Sequence, residues 1–394
     1  MSGVSRQFLN LIVDHGFPGV RSLCRIDLTL HQLFHPTASP HPPNGAGSGA
    51  TTAAGLTMDS LPLPNPSFTF RSSAPDDDHG KIDCFPLADC AVISADHLGH
   101  AFRLDARTLL AGTLPSLHKP KSTPLSLFVP NAGADTDFTR NRNPLGSSLF
   151  VMEKFPKPEL SCGGAPHNSD QFEAFVFHKV RLSDYIKAWH CHLLPPPPFV
   201  REPEHWRGGA GGKPPEIGSY GVVGGGSHVC ISVEGVGTYC LETASHTWSE
   251  VGKWALPFIG KVEYVPELKL LFGFSGDARR LAAADLSAMD SQPQLVGAWE
   301  ELCLPEQWKE CRDPQFVNLG SGRFCIARFF PTAAADDLAD GSSSCKDFAV
   351  LTGVEVVPQQ VRDNNGNGDN GKAELGMVPH KSRRVSGASI EALF

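Results

Sequence analysis

The residues of this chain best suited to chemistry are the run Trp189-His190-Cys191-His192. Imidazole and thiolate groups ligate soft or borderline metals such as zinc. The run lies in an apolar stretch, 188–194, that reads as a strand, and successive strand residues point to opposite faces. His190 and His192 therefore share one face and Cys191 takes the other, so the run cannot enclose an ion by itself. His167 and His178 complete a site only if folding brings them there. A second collection, Asp96, His97, His100 and Asp105, combines imidazoles that exchange protons near neutral pH with carboxylates able to orient them. No nucleophile elbow or triad context accompanies it, and turn and surface roles are expected. Gly224-Gly225-Gly226 lacks the Lys-Ser/Thr ending and strand-to-helix setting of a phosphate loop. Cys191, Cys230, Cys240 and Cys325 sit in apolar strands, where a small buried thiol is the expectation. No residue is nominated as catalytic, cofactor-binding or metal-ligating, and no cofactor is implied.

The elements that must position these residues are organised around 217–302, which holds two successive sheet-like modules. In the first, strands are expected at 219–223, 228–233, 238–242 and 248–251, separated by glycine turns. Val229, Ile231 and Val233 fall on one face by the period of two, while Tyr239 and Trp248 are placed to wedge neighbouring modules together. The second module has strands expected at 261–265, 268–274, 280–285 and 299–302, with 287–294 as a surface insertion. The segment 100–108 resembles 237–245: each sets an apolar strand before an acidic turn and another short run. That recurrence indicates repeated modules.

Further strands are expected at 8–13, 23–30, 67–71, 82–87, 91–95, 125–129, 148–152, 172–177 and 188–194. After a short helical turn at 306–312, strands follow at 315–319, 323–330, 348–356 and 372–378. Pro195-Pro196-Pro197-Pro198 removes four backbone donors and should end a sheet. Mobile insertions are expected near 36–60, 131–146, 156–171, 201–215, 333–344 and 363–371, and Leu61-Pro62-Leu63-Pro64-Asn65-Pro66 reads as a connector. The basic run His380-Lys381-Ser382-Arg383-Arg384 reads as a solvated end. The acidic runs 76–78 and 336–340 read as solvated loops.

Composition narrows the function classes. The 394 residues carry 34 Lys plus Arg against 42 Asp plus Glu, a formal charge of -8 that argues against non-specific binding to nucleic acid or anionic membranes. Only 19% of residues are charged, which suits strands and glycine loops better than long solvated helices. The opening residues lack the pattern of a secretory leader, Ser2 fails the myristoylation rule, and no apolar run is long enough for a membrane helix. Eleven cysteines without a tight repeated spacing favour reduced thiols, hence a cytoplasmic or nuclear setting.

These strands imply an all-β fold: a single β-propeller domain over 1–394 with about six four-stranded blades, closed by N- and C-terminal strands. A seventh blade is accommodated if the long N-terminal excursion contains strands. Over nearly its whole length the sequence resembles a large, grass-expanded family of uncharacterised kelch-like propeller proteins. The segments that carry the resemblance are Arg6-Gln7-Phe8-Leu9-Asn10-Leu11-Ile12-Val13, Leu117-His118-Lys119-Pro120-Lys121-Ser122, Trp189-His190-Cys191-His192-Leu193-Leu194-Pro195-Pro196-Pro197-Pro198, Val262-Glu263-Tyr264-Val265-Pro266-Glu267-Leu268-Lys269 and Leu319-Gly320-Ser321-Gly322-Arg323-Phe324-Cys325. Gly224-Gly225, Tyr239 and Trp248 resemble the diglycine and paired-aromatic framework of kelch repeats. The resemblance implies a fold and no activity. The expected function is a non-enzymatic protein-interaction platform using rim loops. The alternative is a propeller enzyme or carbohydrate-binding protein with a central pocket.

Overall fold

The computed structural model describes residues 6–35, 58–73, 80–130, 147–159, 168–179, 187–202, 214–286, 291–305, 307–332, 347–359 and 374–394. Expectations for 36–57, 76–78, 131–146, His167, 207–213, 333–344 and 363–371 lie outside these residues.

The described chain is strand and turn almost throughout. The first four strands are β1 (Phe8–Asp14), β2 (Val20–Asp27), β3 (Asp59–Pro62) and β4 (Phe68–Arg71). Next come β5 (Ile82–Leu87), β6 (Ala91–Asp96), β7 (Ala101–Asp105) and β8 (Ala111–Leu114), then β9 (Pro124–Val129), β10 (Ser148–Glu153), β11 (Ser169–Lys179) and β12 (Lys187–Leu194). The middle of the chain supplies β13 (Ile217–Val223), β14 (His228–Val233), β15 (Gly237–Glu242), β16 (Trp248–Gly252), β17 (Phe258–Val265), β18 (Leu270–Ser275), β19 (Leu281–Ala284) and β20 (Leu295–Trp299). The chain finishes with β21 (Gln315–Gly320), β22 (Arg323–Pro331), β23 (Asp347–Gln359), β24 (Glu374–Ser386) and β25 (Ser389–Leu393).

These strands form four-stranded antiparallel units. The first is β25-β1-β2-β4, joining the two ends of the chain; the second is β5 to β8 and the third β9 to β12. The fourth, β13 to β16, and the fifth, β17 to β20, fuse into one sheet because β13 and β17 pair in parallel. The sixth, β21 to β24, gains β3 as a parallel fifth strand.

Core clusters link the units in a cycle. Ile12 and Leu23 of the first unit pack with Ile82 and Val92 of the second. Ile93 then meets Leu149 and Phe175 of the third, whose Phe150 and Phe172 meet Val229 and Ile231 of the fourth. Cys230 and Cys240 pack with Leu271 and Ala282 of the fifth, and Phe272 with Phe324 of the sixth. Leu351 and Phe329 complete the circuit against Leu9 and Leu11. Both faces of each unit are thus covered, which is why β6 and β10 are buried at every position instead of alternating. No helix among the described residues is long and apolar enough to cross a membrane.

The repeated segment has a structural counterpart. β7 and β15 are both third strands of their units, and each runs into the same tight turn. Leu109 N–H donates to the Asp105 carbonyl at 2.9 Å and His246 N–H to that of Glu242 at 2.8 Å. Leu109 and His246 occupy the left-handed region at φ 57° and 55°. Tyr239 and Trp248 pack between the third and fourth units, with Trp248 Nε1–H donating to the Pro195 carbonyl at 2.8 Å.

Several boundaries differ from expectation. β2 ends at Asp27, because Thr29 N–H bonds the Asp27 carboxylate at 2.8 Å and turns the chain before residue 30. Trp299 closes β20 rather than opening a strand at 299–302; Glu301 beyond it is drawn into a buried pair with Arg328, and Leu302 packs near Phe330. No helix forms over the described part of 306–312, where Trp308 N–H closes a single turn onto the Pro305 carbonyl. Asp59–Pro62, inside a stretch read as insertion and connector, is a strand beside β24. β11 starts at Ser169, within the stretch read as an insertion, and Ser169 and Gln171 are buried.

The basic run 380–384 is no free end: it lies within β24. Arg384 covers the Phe348 ring at 3.9 Å, Arg383 pairs with Asp59 at 3.2 Å and His380 with Glu355 at 3.4 Å. Long cationic side chains lay apolar stems along a surface while their charged ends find partners, so a basic run can belong to a sheet.

Candidate functional site

β12 divides its chemical residues between two faces, as the period of two requires. Cys191 pairs across the sheet with Phe175, His190 with Val176 and His192 with Ala174. His190 and His192 share a face with His178, and the three rings stack: centroids lie 4.2 Å apart for His178 and His190, 5.9 Å for His178 and His192, and 6.1 Å for His190 and His192. Imidazole lone pairs lie in the ring plane, so near-parallel stacked rings do not converge on a common ion. Burial, reinforced by the neighbouring histidines, holds His192 below its ordinary basicity.

Cys191, on the opposite face, meets a group that only folding assembles. Glu173 of β11 is fully buried, and the segment after β8 wraps over it. Its carboxylate accepts from His118 N–H at 2.8 Å, Lys119 N–H at 3.2 Å, His118 Nδ1 at 2.7 Å and the Cys191 thiol at 3.3 Å. Lys121, also buried, closes an ion pair onto its other oxygen and donates to the Lys119 carbonyl at 2.5 Å. Burial alone would raise the Glu173 pKa, but the Lys121 charge and these hydrogen bonds outweigh it and hold the carboxyl below its usual range. The Cys191 thiol moves far up, by burial first and then by the facing carboxylate, so it stays protonated and is not an activated nucleophile. Glu153 of β10 works beside it, accepting from Ser122 N–H at 2.7 Å and Thr123 N–H at 3.2 Å.

His118, Glu173 and Cys191 place three ligand atoms within 4.8 Å of one another, the one such group among the described residues. Sequence reasoning singled out Cys191 but missed both partners. The signal was Glu173 itself, a carboxylate inside the apolar run Phe172-Glu173-Ala174-Phe175-Val176-Phe177, where only a paired charge is tolerated.

The Asp96 collection resolves into turn chemistry. Asp96 accepts from Ser73 Oγ at 2.6 Å, Leu98 N–H at 2.9 Å and His100 N–H at 2.9 Å, with His100 Nδ1 at 3.2 Å. Asp105 lies apart and accepts from Arg107 N–H and Thr108 N–H, each at 2.9 Å. Gly224, Gly225 and Gly226 make the β13–β14 turn with φ of 60°, 64° and 101°, values that favour glycine.

That glycine turn borders a cleft of about 770 Å³ between the fourth and fifth units. β13 and β17 hold the units together at one edge, and the sheets part beyond it. Cys230, Cys240, Leu271, Ala282 and Ala284 pack as buried core at this junction, and Cys240 and Leu271 also line the cleft. Its wall includes Val223, Val251 and Leu271, and its mouth His228, Lys269 and the half-exposed Tyr264.

A family model described as "Protein of unknown function (DUF1668)" matches residues 6–385. No curated protein matches the sequence. Among solved structures, the β-propeller domain of Cps50 (Swd1) from Myceliophteria thermophila aligns at 14% identity and a TM-score of 0.29, spanning 58% of each chain. Hsv2 of Kluyveromyces lactis aligns at 8% identity over 98% of this chain and 99% of its own, TM-score 0.36. A Lactobacillus plantarum protein aligns at 10% identity over 97% of each chain, TM-score 0.39. These scores are low, and the architecture is carried by this chain's own strand order and core clusters.

Proposed function

The chain belongs to DUF1668, a family of proteins of unknown function, and from that premise we propose that it is a non-enzymatic protein-interaction platform. In this reading the six units are the blades of a propeller whose ring is closed by β25 beside β1. The kelch-like label is part of the same proposal and rests on Gly224-Gly225, Tyr239 and Trp248 of one unit.

The observation that carries the proposal is the cleft between the fourth and fifth units. It has apolar walls, an exposed tyrosine at its mouth, and a lysine and a histidine beside it. Such a wedge suits a bulky apolar side chain from a partner protein's extended segment, with Tyr264 as a contact of low entropic cost. A reducing interior is proposed as the setting, on the eleven cysteines without a tight repeated spacing.

Proximity labelling with the intact protein and with the surface variant Tyr264→Ala/Lys269→Glu tests this reading. Stable neighbours lost in the variant, with unchanged thermal unfolding, support it. A neighbour set indifferent to the substitutions, alongside a selective small-molecule ligand, counts against it.

A further inference from the structure

We propose that His118, Glu173 and Cys191 form a binding site for a borderline divalent cation, of which zinc is the type. The site is built on two adjacent strands and one loop. Glu173 on β11 and Cys191 on β12 share a face, and the paired ladder holds them close. His118 enters from the segment after β8, fixed by its own N–H on the Glu173 carboxylate at 2.8 Å. Two ligands on rigid strands and a third on an anchored loop form a largely preorganised set.

The distances come near those of a tetrahedral ion, with all three ligand atoms within 4.8 Å of one another. Metal–ligand bonds of roughly 2.0–2.3 Å place ligand atoms about 3.3–3.7 Å apart. Here Glu173 Oε2 lies 3.3 Å from Cys191 Sγ and 2.7 Å from His118 Nδ1. Admitting the ion requires a small outward shift of one side chain. That side chain is His118, 46% exposed, while Glu173 is fully buried. An exposed first ligand also gives the ion its way in and leaves the fourth position to water.

The donor set selects the metal class. A thiolate and an imidazole with one carboxylate oxygen favour zinc or cobalt over magnesium or calcium, which require oxygen ligands. The proton balance is simple. The cation replaces two of the three hydrogens now directed at Glu173 Oε2, the backbone N–H of His118 remaining: the thiol proton leaves to solvent, and the imidazole proton moves from Nδ1 to Nε2. Lys121 stays on the second carboxylate oxygen and orients Glu173 without being a ligand. A bound ion would tie the β8–β9 connection to the outer half of the third unit.

The test uses the full chain, freed of metal by a chelator and titrated with cobalt(II), then zinc(II). Cys303 and Cys311, exposed thiols, and Cys162 and Cys345, outside the described residues, are changed to serine in the background and the half-buried Cys84 to alanine, so that Cys191 is the one partly exposed thiol left among the described residues. The expected result is one cobalt per chain with a near-ultraviolet thiolate-to-cobalt band that zinc abolishes. His118→Ala should weaken binding by more than about tenfold, and Cys191→Ser should remove the band. His118 is half-exposed, so its variant keeps the test open if Cys191→Ser unfolds. Absence of a stoichiometric band, or binding unaltered in His118→Ala, overturns the proposal and leaves the cluster a hydrogen-bonded anchor. Because the site lies at the junction of the second and third units, its failure leaves the cleft reading untouched, and the reverse holds.

Discussion

Gly221 of β13 lies so close to Val262 of β17 that a Cβ added to the glycine would sit 2.7 Å from the Val262 carbonyl oxygen and closer still to its γ-methyl. The absent side chain lets two neighbouring units share a parallel hydrogen-bonded edge. Gly221→Ala should therefore force the strands apart and cost about 1–3 kcal/mol, the range for overpacked sites. Urea denaturation measures it. Gly112, whose Cβ would meet nothing within 4 Å, is the control expected to change little when made alanine.

Lys121 and Glu173 are a buried ion pair whose halves depend on each other. Glu173→Gln strands the ammonium and Lys121→Met strands the carboxylate, so each alone should cost about 3–5 kcal/mol. Lys121→Met with Glu173→Leu should recover much of that loss. A double-mutant cycle by chemical denaturation in the presence of chelator reads the coupling, and simple additivity would contradict the pairing.

Acid should weaken the fold partly through Asp96. Burial tends to raise its pKa, but the Ser73 hydroxyl, the Leu98 and His100 N–H groups and the His100 ring together hold it below the ordinary value. A depressed folded-state pKa means that the stabilisation is fully present above the unfolded pKa of about 3.9 and disappears as pH falls through the folded value. The stability gap between wild type and Asp96→Asn, measured in urea from pH 7 downward, should hold to about pH 5 and shrink below pH 4. A gap that widened on acidification would reverse the sign and refute the assignment.

Deleting residues 387–394 removes β25, including the Leu11–Leu393 and Val13–Ile390 pairings and both backbone bonds between Asn10 and Phe394. The edge of β1 is then bare, together with apolar residues that face the sixth unit. Loss of cooperative thermal unfolding, or aggregation seen by size-exclusion chromatography, is the expected outcome. A truncated chain that melted like the full one would contradict closure through this strand.

Much of the strand layout was legible because it rests on local rules. β5 and β14 coincide with the runs expected at 82–87 and 228–233, since alternating or continuous apolar residues bounded by turn formers leave few other choices. The opposed faces of His190 and Cys191 likewise followed from the pleat alone. Closure by terminal strands was expected in outline, but the strand that pairs with β1 is β25, beyond the last strand expected at 372–378.

What tertiary structure decided was where long-range partners and charges go. The sequence by itself places Glu173 in a strand, yet the Lys121 and His118 that neutralise it come from beyond the preceding unit, more than fifty residues earlier. The run 380–384 becomes a strand because Phe348, Asp59 and Glu355 await its cations, and nothing adjacent in sequence announces them. The cleft between the fourth and fifth units is lined by residues of separate strands, among them Val223, Val251, Tyr264 and Leu271. Backbone period and turn preference act over a few residues and can be read in order. Burial of charge and the complementarity of facing sheets depend on distances that only the folded chain makes short.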